Sequence, residues 1–181
     1  MRQVDKNDLS FIVYYYIKYK SLWRKLMKRP SIDEYYIEIA KAVSLRSTCI
    51  RKHYGAVIVK NGEIIATGYN NPPRGEPHCW TCTKCKNGKD ASTYIDCPAV
   101  HAEMNAIISA SRTDMIGADL YLAGYDVKTG EPIECEAWPC EICLRLIKNA
   151  GIQNVINNKG IIYSRSEHSN LLLQLIEKES K

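Results

Sequence analysis

The stretch "YGAVIVKNGEIIATGYN", residues 54–70, holds two β-branched apolar runs, 55–59 and 63–68, on either side of Asn61-Gly62. Asn-Gly between such runs is the strongest short-range hairpin signal a sequence offers, so the chain is expected to turn back on itself here. Upstream, Ser31 and Glu34 read as a capping box opening a helix that carries Ile32, Tyr36, Ile39, Ala40 and Val43. Downstream, a helix is expected over about 99–112, with Val100, Met104, Ile107 and Ile108 on one face, then a strand at 118–123 and a turn at Lys128-Thr129-Gly130. Another helix follows, with Pro139 suited to its first position and Gly151 to its C-cap, then strands at 153–156 and 161–163 and a last helix near 166–178. Strands alternating with helices predict a layered α/β domain.

With 181 residues the chain is expected to form one main domain, and its 45% hydrophobic and 25% charged residues lie in the globular range. No apolar run approaches the roughly 20 residues that cross a bilayer. The segment "FIVYYYIKYK" is short, tyrosine-rich and broken by lysine, and no small-residue cleavage site follows it, so the expected location is the cytoplasm, without membrane attachment. In that reducing compartment eight cysteines are better explained as metal ligands or reactive thiols than as disulfides.

The net charge of +5 is unevenly shared. Residues 1–30 hold eight lysines and arginines against Asp5 and Asp8, leaving 17 basic and 18 acidic side chains for the rest. A near-neutral body offers no broad footprint for a phosphate backbone, which argues against a polynucleotide partner. Residues 9–27 have roughly helical apolar spacing among lysines and read as a solvated or partner-covered appendage. Met27 would make a natural chain start, so residues 1–26 are expected to be a dispensable basic extension and residues 27–181 the domain proper.

The chemistry concentrates in two short motifs. Cys140 and Cys143, in "PCEIC", are three apart at a helix start, so both sulfurs can share one face, and the partial positive charge of the helix end favours thiolates. Alone, this pair is ambiguous: a redox dithiol, half of a structural zinc site or two buried small hydrophobes stand together against a catalytic zinc. His101, in "AVHAEMNAI", completes a set of two sulfurs and one imidazole with a fourth position open to water, the pattern of catalytic zinc. Glu103, two residues on, can then move protons to and from that water. From Asn70 to Asp96 regular patterning gives way to a Gly-, Pro- and Cys-rich loop, which in a compact domain is functional or tied down.

A histidine-x-glutamate followed by Pro-Cys-x-x-Cys is the signature of zinc nucleobase deaminases. The chain resembles the cytidine and deoxycytidylate deaminase superfamily, most closely its deoxycytidylate (dCMP) branch, through "RSTCIRKHYGAVIVKNGEIIATGYN", "CPAVHAEMNAI", "GADLYLA" and "PCEICLRLIKNAGI", together spanning residues 46–152 in order. The resemblance implies a three-layer α/β/α fold around a mixed five-stranded sheet. It implies zinc on His101, Cys140 and Cys143, with Glu103 protonating ring nitrogen 3 as water adds to carbon 4 and ammonia leaves. Backbone at Ala102 and Trp138 would hold the base, and Asn70 the sugar. Arg74 is a candidate for the 5′-phosphate, since guanidinium grips phosphate in a bidentate fashion.

The resemblance further implies a second, structural zinc on four of Cys49, Cys79, Cys82, Cys85 and Cys97, with Cys85 favoured over Cys82 and His78 a substitute. A homo-oligomer, often a hexamer, is implied, as in some members is regulation by a nucleotide with magnesium. One departure is the insertion "GYDVKTGEPIECEAW" before "PCEIC", expected to enter the pocket beside the zinc, where Tyr125, Trp138 or Cys135 would reshape recognition. Two other readings stand beside dCMP deamination: a deaminase of another cytosine nucleotide or an RNA base, and a non-catalytic zinc module binding nucleic acid or a protein. The last leaves Glu103 without a role.

Overall fold

The computed structural model describes residues 13, 15–20, 29–79, 97–133, 138–167 and 169. The chain divides into two compact units, Met1–Ser31 and Ile32–Lys181. In the first, the described residues of 13–20 are helical and exposed. Tyr15 stacks on Tyr19 with ring centroids 5.9 Å apart, and the Lys20 ammonium lies 5.2 Å from the Tyr16 ring centre.

The second unit is built on a sheet of five strands: β1 (Lys52–Lys60), β2 (Glu63–Tyr69), β3 (Asp119–Asp126), β4 (Asn154–Asn157) and β5 (Gly160–Ser164). Their order is β2-β1-β3-β4-β5, with β3 and β4 parallel and the other neighbours antiparallel. This is the expected mixed five-stranded sheet. Its helices are α1 (Ile32–Ser44), α2 (Ala102–Ile108), α3 (Arg112–Met115) and α4 (Glu141–Ala150). The hairpin forms as expected: Lys60 pairs with Glu63, leaving Asn61 (φ 52°) and Gly62 (φ 82°) as the two turn residues, both in the positive-φ region that this turn demands.

Burial of both faces explains the continuous apolar runs in the central strands. Val57 and Val59 of β1, Tyr121 and Ala123 of β3 and Ile156 of β4 pack with Tyr36, Ile37 and Ala40 of α1. Their neighbours Ala56, Ile58, Leu120, Leu122 and Val155 form the other core with Ala102 and Ala106 of α2 and Ile147 and Ala150 of α4. The period of two along each strand thus splits one apolar run between two cores. On the α1 side Tyr121 donates to Asp33 at 2.9 Å and Tyr36 to the Gly62 carbonyl at 2.6 Å.

Two helices lie almost directly on strand backbone. A Cβ at Gly55 would come 2.0 Å from the Ala40 carbonyl oxygen, and one at Gly68 2.3 Å from both the Ala102 oxygen and the Ala106 nitrogen. Glycine in the strand and alanine in the helix make this approach sterically feasible.

That approach corrects one expectation. The buried face of α2 carries Ala102, Glu103 and Ala106, whereas Ile108 is 77% exposed. Nor does one helix run over 99–112. Val100 is extended and pairs with Asn71, Ser109 caps α2, and α3 is a separate turn after Ser111.

β3 runs three residues past its expected end because Lys52, His53 and Tyr54 of β1 pair with Asp126, Tyr125 and Gly124. The Lys128-Thr129-Gly130 turn follows, with the Asp126 carboxylate accepting from the Lys128 and Thr129 N–H groups. α4 starts at Glu141, two residues later than Pro139, because Cys140 takes the N-cap and its sulfur accepts from the Cys143 N–H. Gly151 ends it at φ 87°, and Ile152 N–H returns to the Ile147 carbonyl. Arg165 and Arg112 cover the last-turn carbonyls of Lys148 and Asn149.

Residues 165–167 begin a helix near the expected position, and the rest of 166–178 except Ser169 lies outside the described residues. Among the described residues no helix is long and apolar enough to cross a membrane.

Gly68→Ala is expected to destabilise the fold by about 3 kcal/mol or more, since the new methyl meets backbone that cannot swing away. Gly130→Ala, with nothing within 4 Å but φ 71°, should cost only about 1 kcal/mol. Urea unfolding of both variants checks this; equal midpoints would contradict it.

Candidate metal centre and active site

Two helix starts meet on the α2–α4 side of the sheet. His101 is the N-cap residue of α2 and Cys140 that of α4, both extended, with ψ of 156° and 163°. Cys143 sits in the first turn of α4 and is fully buried. His101 Nδ1 lies 3.5 Å from Cys140 Sγ and 3.4 Å from Cys143 Sγ, and the three donor atoms all fall within 4.8 Å of one another.

A tetrahedral zinc with bonds of about 2.3 Å to sulfur and about 2.0 Å to nitrogen requires an N···S separation of about 3.5 Å. The observed spacings fit that requirement. Among the described residues this is the one group of three or more His, Cys, Asp or Glu side chains that could hold an ion.

Glu103 is 5% exposed and hydrogen-bonds to the Cys143 side chain and to its own backbone N–H. Burial pushes its carboxyl above the ordinary range, while those two bonds pull the other way. Burial also pushes the Cys143 thiol up, and the nearby Glu103 and Cys140 add to the shift. A dication among these groups would reverse the balance, favouring thiolate and carboxylate together.

The other expected site residues are spread around this centre. Ala102 is buried and opens α2. Asn70 is also buried, with its side chain on the edge of β1: Tyr54 N–H donates to Oδ1 at 2.7 Å and Nδ2 donates to the Lys52 carbonyl at 2.9 Å. Trp138 is 54% exposed and, with Pro139, Glu141, Ile142 and Leu144, lines an open groove of about 460 Å³ at the start of α4. Arg74 is exposed in a turn closed by Glu76 N–H on the Pro73 carbonyl. Tyr125 is half-buried and bridges to Pro132 across the insertion, while Cys135 lies outside the described residues.

Cys49, Cys79 and Cys97 are half-buried thiols, and Cys82 and Cys85 lie outside the described residues. The segments carrying the first three converge on Asn71. Its side-chain oxygen accepts from Thr48 N–H and hydroxyl, its backbone pairs with Val100, and Thr48 Oγ1 accepts from Cys79 N–H at 3.4 Å. The sequence reading missed Asn71. It also missed Asn105, whose side-chain amide donates to the Tyr69 carbonyl at 2.8 Å. For Asn105 the available signal was an asparagine inside a helix, where it is a poor former.

The Glu103 shift sets a testable pH dependence for the metal-free chain. A carboxyl whose folded pKa is raised contributes stability fully present below its ordinary value of 4.5, and that contribution is lost as pH rises through the folded value. Chelator-treated protein should therefore lose stability to urea as pH rises above about 4.5, and Glu103→Gln should flatten that decline. Parallel pH profiles for the two chains would contradict the assignment.

Residues 30–159 match the model of the cytidine and deoxycytidylate deaminase zinc-binding region. A deoxycytidylate deaminase of Mycobacterium phage D29 is 40% identical over 139 residues, which are 74% of this chain and 98% of that one. The deoxycytidylate deaminase of Schizosaccharomyces pombe is 33% identical over 165 residues, 84% of this chain but 47% of that longer protein. A solved dCMP deaminase of cyanophage S-TIM5, in complex with dCMP and dUMP, superposes with a TM-score of 0.52 at 28% identity, covering 71% of this chain and 82% of that one. With two helix starts offering one imidazole and two sulfurs to a shared point, and the family model spanning both, the chain belongs to the cytidine and deoxycytidylate deaminase family.

Proposed function

We propose that this chain deaminates dCMP hydrolytically to dUMP and ammonia, with zinc on His101, Cys140 and Cys143. The observation that carries the reading is a three-donor group with tetrahedral spacing beside a buried carboxyl, Glu103. Bound there, zinc supplies Lewis acidity that makes water nucleophilic near neutral pH.

The remaining chemistry belongs to the chain. Glu103 takes the proton of the attacking water and delivers it to ring nitrogen 3, and a further transfer to the exocyclic amine lets ammonia depart from carbon 4. A buried carboxyl within hydrogen-bond reach of a proposed zinc ligand, Cys143, is placed for both halves of that shuttle. The first N–H groups of α2 have no carbonyl partner inside the helix, and that of Ala102 is suited to the base oxygen. In this reading Trp138 backbone closes the other side of the base, Asn70 meets the sugar and Arg74 the 5′-phosphate. A specificity for the monophosphate is supported by the names of the relatives.

A second, structural zinc on Cys49, Cys79 and Cys97 with Cys85 or Cys82 is part of the proposal. Its support is the convergence of the first three segments on Asn71. Residues 1–26 are proposed to be dispensable, consistent with a family match that begins at residue 30; insoluble or inactive protein from a chain starting at Met27 would refute this. A cytoplasmic homo-oligomer completes the reading. Assembly would cover side chains such as Ile108, Ile142 and Leu146, and light scattering of the purified protein at monomer mass would exclude it.

The purified chain should convert dCMP to equal amounts of dUMP and ammonia in preference to CMP, deoxycytidine and cytosine, with two zinc ions per chain by elemental analysis. Glu103→Gln should lower kcat by at least about 100-fold while keeping its zinc. No ammonia from any cytosine compound, or full activity in Glu103→Gln, would refute the catalytic reading; one zinc per chain would remove the structural ion alone.

A further inference from the structure

Asn105 stands inside α2, where an amide that competes for backbone groups weakens a helix. Its side chain reaches out of the helix. Nδ2 donates to the carbonyl of Tyr69, the last residue of β2, at 2.8 Å, and the next residue is Asn70. The Asn105 N–H meanwhile donates to the His101 carbonyl at 3.0 Å, closing the turn that carries His101 and Glu103. Gly68 lets this turn rest on the strand, since a Cβ there would lie 2.3 Å from Ala102 and Ala106 backbone atoms.

Steric contact sets how close α2 comes to β2, and the Asn105 side chain adds a directional side-chain bond between them. On the other side, Asn70 is clamped by Tyr54 N–H, the Lys52 carbonyl and the Ser47 hydroxyl, which donates to its backbone oxygen at 2.6 Å. The Asn105 bond therefore joins the helix start with His101 and Glu103 to the strand end with Asn70, alongside the backbone pair of Val100 and Asn71, whose N–H groups donate to each other's carbonyls at 2.8 and 3.1 Å.

We propose that Asn105 is a positioning residue for the deamination. Together with the Val100–Asn71 backbone pair it fixes the separation between the proton-transfer carboxyl and the corner that meets the sugar, so that a nucleotide anchored at one end presents its ring correctly at the other. The inference rests on the nucleotide-deaminase reading above. Substrate can still be gripped at either end when the bond is lost, so ground-state binding survives. The chemical step suffers, because a misplacement of about 1 Å can cost about 100-fold in rate.

The test uses zinc-loaded full-length protein. In Asn105→Ala, and in Asn105→Asp, which keeps the shape but sets a carboxylate oxygen against the Tyr69 carbonyl, kcat for dCMP should fall about 10- to 100-fold. KM, the affinity for dUMP measured by calorimetry, and zinc content should stay near wild type. Folded, zinc-loaded variants with wild-type kcat would overturn the proposal. So would zinc loss or unfolding in both variants, which would make the bond structural, or an equal rise in KM with unchanged kcat. Turnover of dCMP by the wild-type chain tests the underlying reading separately, because the inference is read only from the ratio of variant to wild type and from dUMP affinity.

Discussion

The separation of about 3.5 Å between one imidazole nitrogen and two cysteine sulfurs is the constraint on which the rest of this molecule depends. None of the three side chains would choose that spacing unaided, because polar donors crowded together beside a buried carboxyl are costly unless something satisfies them. Two helix starts hold them. His101 and Cys140 occupy corresponding N-cap positions on α2 and α4, and Cys143 follows within the first turn of α4. The convergence is therefore made by the backbone of two helix starts.

The sheet makes that convergence possible by being buried on both faces. β1 and β3 give alternate residues to two cores, so the central strands are held between α1 on one side and α2 and α4 on the other. Glycines at 55 and 68 let helices sit on strand backbone, which brings the start of α2 close to the end of β2. The polar side chains at that junction, Asn70, Asn71 and Asn105, bond to backbone groups of neighbouring segments. Loops around the centre are thereby tied to the scaffold that carries Glu103.

Much of this could be read from the residues. Asn61-Gly62 announced its turn because few other pairs accept two positive φ values, and Gly151 its helix end for the same reason. The His-x-Glu and Pro-Cys-x-x-Cys spacings pointed to one centre because a metal imposes its own stereochemistry on ligand positions. Short-range patterns were less informative where tertiary contacts decide. Ile108 suggested the wrong buried face for α2, because close packing on Gly68 selects small alanines, and size is invisible to a hydrophobic count. The extension of β3 to Asp126 depended on pairing with Lys52–Tyr54 seventy residues away, which no local window contains. Asn71 and Asn105 act through backbone carbonyls and N–H groups of distant segments, and backbone partners leave no trace in side-chain spacing.

Burial around Glu103 and Cys143 opposes charge in both groups, and a cation is the simplest means of reversing that opposition. The proposed chemistry therefore requires an ion at the meeting point of the two helix starts. Anomalous diffraction at the zinc absorption edge, from crystals of the protein purified without chelator, tests it most directly. A peak bonded to His101 Nδ1, Cys140 Sγ and Cys143 Sγ, with one remaining direction open toward Glu103, is the predicted result. Density that lacks a peak there, or a peak closed by a fourth protein ligand, would contradict it.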